Sequence, residues 1–255
     1  MLLIDTHLHL YAEEFDDDRR QIIDNALTAG VSKLFLPNID STSIEGMMSL
    51  ARQFPDICYP MMGLHPCYVK ENYKKELSIV EKKLLSGEFY GVGEIGMDKY
   101  WDLSFIKEQE DALRIQLALA DQFELPVALH TRNCTGDVLD IIESMKLKNL
   151  TGIFHCFGGT KEEAQRVIDL GMYLGIGGVV TFKNGGLDQI LNEIELKNIV
   201  LETDGPYLAP VPFRGKRNQP AYLKHIAEKL SEIKQCSLQE VADITSANAR
   251  NLFGI

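Results

Sequence analysis

The stretch Leu3-Ile4-Asp5-Thr6-His7-Leu8-His9 decides how this chain is read. Side chains on an extended strand alternate between faces, so residues two apart share one. On a strand running through this stretch, His7 and His9 aim the same way, with Asp5 beside them. Two neutral imidazoles held close together can bind one divalent ion of the Zn, Mn or Fe type. A lone histidine pair fits equally well a bland N-terminal strand whose rings only pack or face solvent. What singles this pair out is recurrence. An apolar run followed by a metal-type residue returns along the whole chain.

Short apolar runs alternate with amphipathic stretches throughout. A strand over 2–4 precedes a helical pattern over about 16–29, and a strand over 33–36 precedes a helix opened by the capping box Thr42-x-x-Glu45. Strand 57–64 leads to a helix near 75–85. Strand 90–94 leads to a long helix over 105–123, where Ile106, Leu113, Leu117 and Ala120 recur at helical spacing. Strands 126–129, 152–154 and 173–176 are followed by helices over 136–145, from the box Thr160-x-x-Glu163, and near 187–194. Strand 199–202 is the eighth, and helices over 222–233 and from Ser237-x-x-Glu240 close the pattern. Eight strands each followed by a helix predict an α/β fold of the (β/α)8 TIM-barrel type, one domain over 1–255. A doubly wound sheet is the competing arrangement, but it usually has fewer strands, and no dinucleotide-binding glycine turn is expected. No linker, low-complexity run or charge block divides the chain.

Composition narrows the function. With 255 residues, 45% hydrophobic and 25% charged, the chain has the balance of a globular protein that buries roughly three quarters of its surface. No apolar run approaches the ~20 residues that span a bilayer, and Met1-Leu2-Leu3-Ile4 lacks the basic region of a signal peptide. The five cysteines (Cys58, Cys67, Cys134, Cys156 and Cys236) form no C-x-x-C pair, as expected of reduced thiols in a cytoplasmic protein. The net charge of −11 excludes a broad basic face for clamping long nucleic acid. A polyanionic substrate has to be met locally, by metals and a few cations. Neither a membrane nor an obligate protein partner is expected.

In a barrel of this kind chemistry sits at the C-terminal ends of the strands. Those ends carry His7 and His9, then His65 in Gly63-Leu64-His65-Pro66, and Glu94 at the end of strand four in Gly91-Val92-Gly93-Glu94-Ile95-Gly96. His130, His155 and Asp204 end strands five, six and eight. Of six histidines only His225, within a helix, falls elsewhere. His7, His9, His130 and His155 with Glu94 and Asp204 exceed what one catalytic ion needs, since such ions take about three protein ligands. They suit two divalent ions (Mg, Mn or Zn) bridged by Glu94, because strand four lies across the barrel between the two histidine pairs. Asp204 can bind one ion and accept a proton from water. His65 joins Glu94 and Asp204 as a catalytic candidate.

Asp5-Thr6-His7-Leu8-His9, Gly93-Glu94-Ile95-Gly96, His130-Thr131-Arg132, His155-Cys156-Phe157 and Glu202-Thr203-Asp204-Gly205-Pro206-Tyr207 resemble the motif set of the TatD family of metal-dependent deoxyribonucleases. The run Arg214-Gly215-Lys216-Arg217-Asn218 resembles it too, and the order is kept over the whole chain. The resemblance implies a TIM barrel of the metal-dependent hydrolase superfamily. It also implies a divalent-metal phosphodiesterase acting on DNA, often as a 3′-to-5′ exonuclease on single strands and commonly with Mg²⁺. It implies ligand roles for His7, His9, Glu94, His130, His155 and Asp204. The chain departs from the pattern at Asp98-Lys99-Tyr100, where an aromatic residue is common in the middle.

Other residues are candidates for substrate contact. Arg132 follows His130 directly and can reach a phosphate or form a structural ion pair. Arg214, Lys216 and Arg217 lie among Pro206, Pro210 and Pro212, which stiffen their loop, and three cations in an acidic protein suit a phosphate grip. Ordinary solvated charge is the alternative. Tyr68, Tyr100, Trp101 and Phe157 lie in loops at the mouth and can stack on bases or pack as a lid. Cys134 and Cys156 adjoin the ligand candidates, but thiolates are poor Mg²⁺ ligands, and both read as small fillers. Lys99 and Lys183 are further cations in these loops. The expected function is hydrolysis of a DNA or RNA strand end. A deacylase or lactonase of the wider superfamily would use the same metals, and a binding module that kept a metal site is disfavoured by the acidic balance.

Overall fold

The wall of the molecule is made of short parallel strands, and its computed structural model describes residues 1–183 and 186–255. The strands are β1 (Leu3–Asp5), β2 (Val31–Pro37), β3 (Cys58–Met61), β4 (Val92–Asp98), β5 (Val127–Arg132), β6 (Gly152–Phe154), β7 (Tyr173–Ile176) and β8 (Ile199–Leu201). Helices α1 (Arg19–Thr28), α2 (Ile44–Gln53), α3 (Tyr73–Leu84), α4 (Ile106–Phe123), α5 (Thr135–Met145), α6 (Lys161–Asp169) and α7 (Leu187–Glu193) alternate with them. After β8 come α8 (Leu223–Lys234) and α9 (Leu238–Phe253). The strands pair as two parallel sheets, β1-β2-β3 and β4-β5-β6-β7-β8, in a TIM-barrel-like α/β arrangement. Backbone bonds join the sheets just beyond their paired residues. Thr6 N donates to Leu201 O (3.0 Å) and Asp204 N to His7 O (2.9 Å), while Met62 N donates to Gly91 O (3.0 Å) and Gly93 N to Met62 O (3.1 Å). A side chain at Gly63 would sit 2.8 Å from the Gly93 carbonyl carbon, so glycine allows the second approach.

Strands buried on both faces are apolar continuously, and alternate residues serve different cores. Ile4, Phe35, Met61, Ala128, Ile153 and Val200, each from a different strand, pack together inside the wall. Their neighbours Leu3, Leu34, Leu36, Leu129, Phe154 and Leu201 face outward into the larger core that the helices cover. Phe253 of α9 stacks on Phe35 at 3.7 Å, and Asn248 Nδ2 donates to Ile199 O at the start of β8 (2.7 Å). Helix α9 therefore closes the N-terminal end of the strands and leaves their C-terminal end for chemistry.

Several boundaries differ from the sequence reading, and two matter for the site. Strand β1 stops at Asp5, so His7 and His9 lie beyond it and do not share a face by strand alternation. Strand β4 runs on to Asp98, which places Glu94 within it and not at its end. The run Gly91-Val92-Gly93-Glu94-Ile95-Gly96 has the spacing G-x-G-x-x-G but leads along β4, not round a turn into a helix, so it makes no dinucleotide turn. The box expected at Thr42 does not form. Thr42 Oγ1 donates to Asp40 Oδ1 (2.6 Å), and Ser43 stands at the N-cap of α2 without a side-chain cap. The box at Thr160 and Glu163 forms in both directions, and Ser237 accepts from Glu240 N.

Candidate active site

Residues from six chain segments converge on the Glu94 carboxylate. It is 2% exposed and its two oxygens face different rings. Oε2 lies 3.0 Å from His7 Nε2 and 3.3 Å from His9 Nε2, and those two nitrogens are 3.3 Å apart. Oε1 lies 2.8 Å from His130 Nδ1, 3.3 Å from His65 Nε2 and 3.8 Å from His155 Nε2. Asp204 Oδ1 stands between the groups, 3.9 Å from His7, 3.7 Å from His9 and 3.9 Å from His155. Backbone geometry makes this possible. Glu94 N donates to Asn38 O (3.0 Å) and Asn38 N to Gly93 O (2.9 Å), which holds β4 against the end of β2. Gly96 has φ +141, and any side chain there would sit 2.0 Å from His130 O. Asp204 itself is left-handed (φ 60), a conformation rare outside glycine, asparagine and aspartate and often kept where function needs it.

The hydrogen-bond partners assign the ring tautomers. Tyr11 OH donates to Pro37 O, so it accepts from His9 Nδ1 (3.0 Å), and the His9 Nε2 lone pair faces Glu94. Asp98 Oδ2 lies 2.8 Å from His130 Nε2, which puts the hydrogen there and leaves Nδ1 as the free lone pair. Glu202 Oε1 stands 2.9 Å from His155 Nδ1 without the alignment of a hydrogen bond, so it acts on that ring by charge. His65 runs the other way. Its Nδ1 accepts from Cys67 N (3.1 Å), so the neutral ring carries its hydrogen on Nε2, toward Glu94. Burial holds both His65 and His7 below the usual imidazole range.

Lone pairs on several imidazoles crowd the Glu94 carboxylate within hydrogen-bond distance, with Asp204 Oδ1 3.7 Å from His9, an arrangement that repels itself unless a cation sits among them. Ligand atoms about 2.1 Å from one ion lie roughly 3–3.5 Å from each other, and the closest spacings here fall in that range. His7, His9 and Glu94 form one group of metal-capable atoms, and His7, His155 and Asp204 another. His65, Glu94 and His130 form a third by distance. The Nε2 hydrogen of His65 argues against that ring as a ligand. Titration follows the crowding. Burial alone raises the Glu94 carboxyl, but the His65, His7 and His155 rings outweigh it and hold the group well below the carboxylate range. Burial pushes Asp204 up to about 6 against the pull of His155 and His9. His155 is raised to about 10 because Glu202, Asp204 and Glu94 overcome the effect of burial. The pocket thus has excess negative charge that a divalent ion would neutralise. The donors are nitrogen and oxygen only, which suits Mg, Mn or Zn; burial pushes the Cys134 thiol up to about 12, and its Sγ donates to Met97 O (3.1 Å).

The remaining candidates scatter. Asp5 does not stand with the His7–His9 pair. Wholly buried, it accepts from Thr203 N (2.9 Å) and Thr203 Oγ1, tying β1 to the segment after β8, and burial lifts its carboxyl to about 7. Arg132 lines a cleft of about 670 Å³ together with His130, His155 and Asp204, and its guanidinium lies on the Tyr100 ring at 3.9 Å. Arg214 packs 4.0 Å over Phe182, and Lys216 is exposed. Arg217 is taken up by Asp18 (2.6 Å) and the Glu14 carbonyl, above the Phe15 ring. Phe157 is buried in the core and cannot stack on a ligand. Lys99 pairs with Asp137 (2.6 Å). Sequence reasoning passed over Asp98, Glu202 and Tyr11, which sit behind the rings. A carboxylate two residues before Asp204 and another at the true end of β4 were the available signals.

With this geometry in view, the likeness to known proteins is informative. The TatD related DNase family model matches residues 4–254. The chain is 36% identical to the uncharacterized metal-dependent hydrolase YabD of Bacillus subtilis, with all of both chains covered. It is 33% identical to the 3′-5′ ssDNA/RNA exonuclease TatD of Rahnella sp., over 97% of each. The crystal structure of YJJV, a TatD homolog from Escherichia coli K12, superposes with a TM-score of 0.94 at 27% identity, covering 99% of this chain and 98% of that one. A family match over nearly every residue, on a fold that brings histidines and carboxylates together at one end of the strands, makes this chain a member of the TatD-related DNase family of metal-dependent hydrolases.

Proposed function

We propose that this hydrolase is a two-metal phosphodiesterase that removes nucleotides from the free 3′ end of single-stranded DNA, and that residues 1–255 form one closed (β/α)8 barrel. The observation that carries the reading is the division of the Glu94 carboxylate, with Oε2 turned to His7 and His9 and Oε1 to His130 and His155. The bonds from Thr6 to Leu201 and from Gly93 to Met62 support closure of the wall at both seams. Two bound divalent ions, Mg, Mn or Zn, would supply an acidified water and neutralise phosphate charge. His7, His9 and Glu94 would hold one; Glu94, His130 and His155 the other; Asp204 lies within reach of both groups. Asp204, whose Oδ1 faces His7, His9 and His155, stands where it would accept the proton of the attacking water. His65 presents its Nε2 hydrogen and would donate to a phosphate oxygen. Arg132, Arg214 and Lys216 would hold flanking phosphates, with Arg217 bracing their loop. The likeness to the Rahnella 3′-5′ ssDNA/RNA exonuclease supports an end-directed reaction on single strands and extends the substrate class to RNA.

The test offers the Mg²⁺- or Mn²⁺-loaded enzyme four oligonucleotides: 5′-labelled single-stranded DNA, the same strand with a 3′-phosphate, its blunt duplex, and the RNA equivalent. Stepwise shortening from the free 3′ end, faster on the single strand than the duplex, is expected. Metal-dependent hydrolysis of acyl esters or lactones, with no nuclease activity from the same preparation, would transfer the chain to the deacylase class.

A further inference from the structure

The loop after β4 exposes Tyr100 and Trp101, 52% and 66% open to solvent. Their rings meet edge to face with centroids 4.8 Å apart. Arg132 covers Tyr100 at 3.9 Å and stands 5.3 Å from the Trp101 ring. Among the described residues its guanidinium rests on these rings and on no carboxylate, although it lines the same cleft as His130 and Asp204. Burial does not hold this loop in place. Asp98 does. Its Oδ1 accepts from Tyr100 N (2.8 Å) and Trp101 N (2.9 Å), and its Oδ2 is the atom 2.8 Å from His130 Nε2. Asp98 is 1% exposed, and its own N–H donates to Gln109 Oε1 (2.9 Å), so the carboxylate cannot drift. One buried group therefore joins an imidazole facing Glu94 to a pair of open aromatic rings.

We propose that Tyr100, Trp101 and Arg132 form a subsite that stacks an unpaired nucleobase of the substrate strand, and that Asp98 is the positioning residue that sets this subsite in register with His130. The inference rests on the single-strand nuclease reading above. An unpaired base has free π-faces and a paired one in a duplex does not, so the open face of Trp101 selects for single strands whatever their sequence. A guanidinium neutralised only by π-faces keeps its charge available for the adjoining phosphate.

Trp101 is the single tryptophan of the chain, so its fluorescence reports this subsite directly. The probes are a hydrolysis-resistant phosphorothioate tetrathymidylate and the same backbone made abasic, titrated into Mg²⁺-loaded protein. Quenching by the base-bearing strand and not by the abasic one is expected. Trp101→Ala should raise KM on unmodified tetrathymidylate roughly 5- to 150-fold, the range for one stacked base, and that penalty should vanish on an abasic substrate. Asp98→Asn keeps an oxygen for the two backbone N–H groups but turns an amide N–H toward His130. It should preserve quenching while lowering kcat at least about 10-fold. Asp98→Ala removes both contacts and should lose quenching as well. Equal quenching by both strands, or equal Trp101→Ala penalties on both substrates, would overturn the subsite. Wild-type quenching in Asp98→Ala, or unchanged kcat in Asp98→Asn, would overturn the coupling. Failure of the parent reading looks different: wild-type enzyme would then hydrolyse no unmodified oligonucleotide at all.

Discussion

At the scale of single residues, Glu94 carries the most. It is a carboxylate with 2% exposure among five imidazoles, and the rings beside its two oxygens hold it ionised despite its burial. Glu94→Gln exchanges one anionic oxygen for an amide N–H donor, so one of the two ring groups loses its anion whichever way the amide turns. Mn²⁺ titration calorimetry on the apoprotein should then show at least one site weakened or lost, and turnover should fall at least ~10²-fold. Near-normal turnover would remove Glu94 from the chemistry. The residue types at the mouth were legible beforehand, because histidine and acidic residues at strand ends are out of place in an apolar wall. What stands behind each ring was not. Asp98 and His130 are 32 positions apart, and Glu202 is 46 from Cys156, whose N–H, next to His155, donates to it, so no local pattern announces which acids stand behind the rings. The opposite tautomer of His65 depends on a single backbone N–H, that of Cys67, which only the turn after it brings into place.

At the scale of elements, alternation of apolar and amphipathic segments was enough to place every strand and helix in order, while their ends were decided by tertiary contacts. Strand β4 was read as ending at Glu94; in the fold its glycines let β5 approach, and the strand continues to Asp98. The loop carrying Arg214–Arg217 was read as three equal cations. Arg217 instead braces the loop against Asp18, whose carboxyl the guanidinium bond holds below its usual range. A lowered folded value means the pair contributes stability above the unfolded carboxylate range and loses it as pH falls through the lowered value. The groups are well exposed, so the contribution is small. Its effect on substrate is more informative. If Arg217 is a brace, Asp18→Asn and Arg217→Ala should raise KM by similar factors, about 2- to 5-fold for a pair worth under 1 kcal/mol, and the double variant should add little. A direct phosphate contact would make Arg217→Ala harmful and Asp18→Asn neutral. Steady-state kinetics on a labelled single strand separates the two.

At the scale of the whole molecule, two consequences follow from an acidic protein with an anion-rich mouth. Removing metal should destabilise the fold, since ions bound only by the native state stabilise it by mass action, about 2.7 kcal/mol at a hundredfold excess over Kd. For a chain of 255 residues that corresponds to a loss of roughly 5–10 °C in Tm on adding EDTA, restored by Mn²⁺ and readable by differential scanning fluorimetry. An unchanged Tm would mean that the donors are not assembled around ions in solution. The second consequence concerns salt. The net charge is −11, and on the proposed reading Arg132 in the cleft and Arg214 and Lys216 in the loop after β8 would meet the phosphates. Each phosphate contact to a single strand contributes about 0.7 to the slope of log KM against log salt concentration. Three contacts set that slope near 2, and replacing Arg214 and Lys216 together with alanine should bring it below about 1 while raising KM at low salt. Measurements between about 50 and 200 mM salt cover the useful range. A wild-type slope of about 4 or more would require twice the phosphate contacts assigned to these three cations, and the strand would then have to be held by further residues away from the mouth.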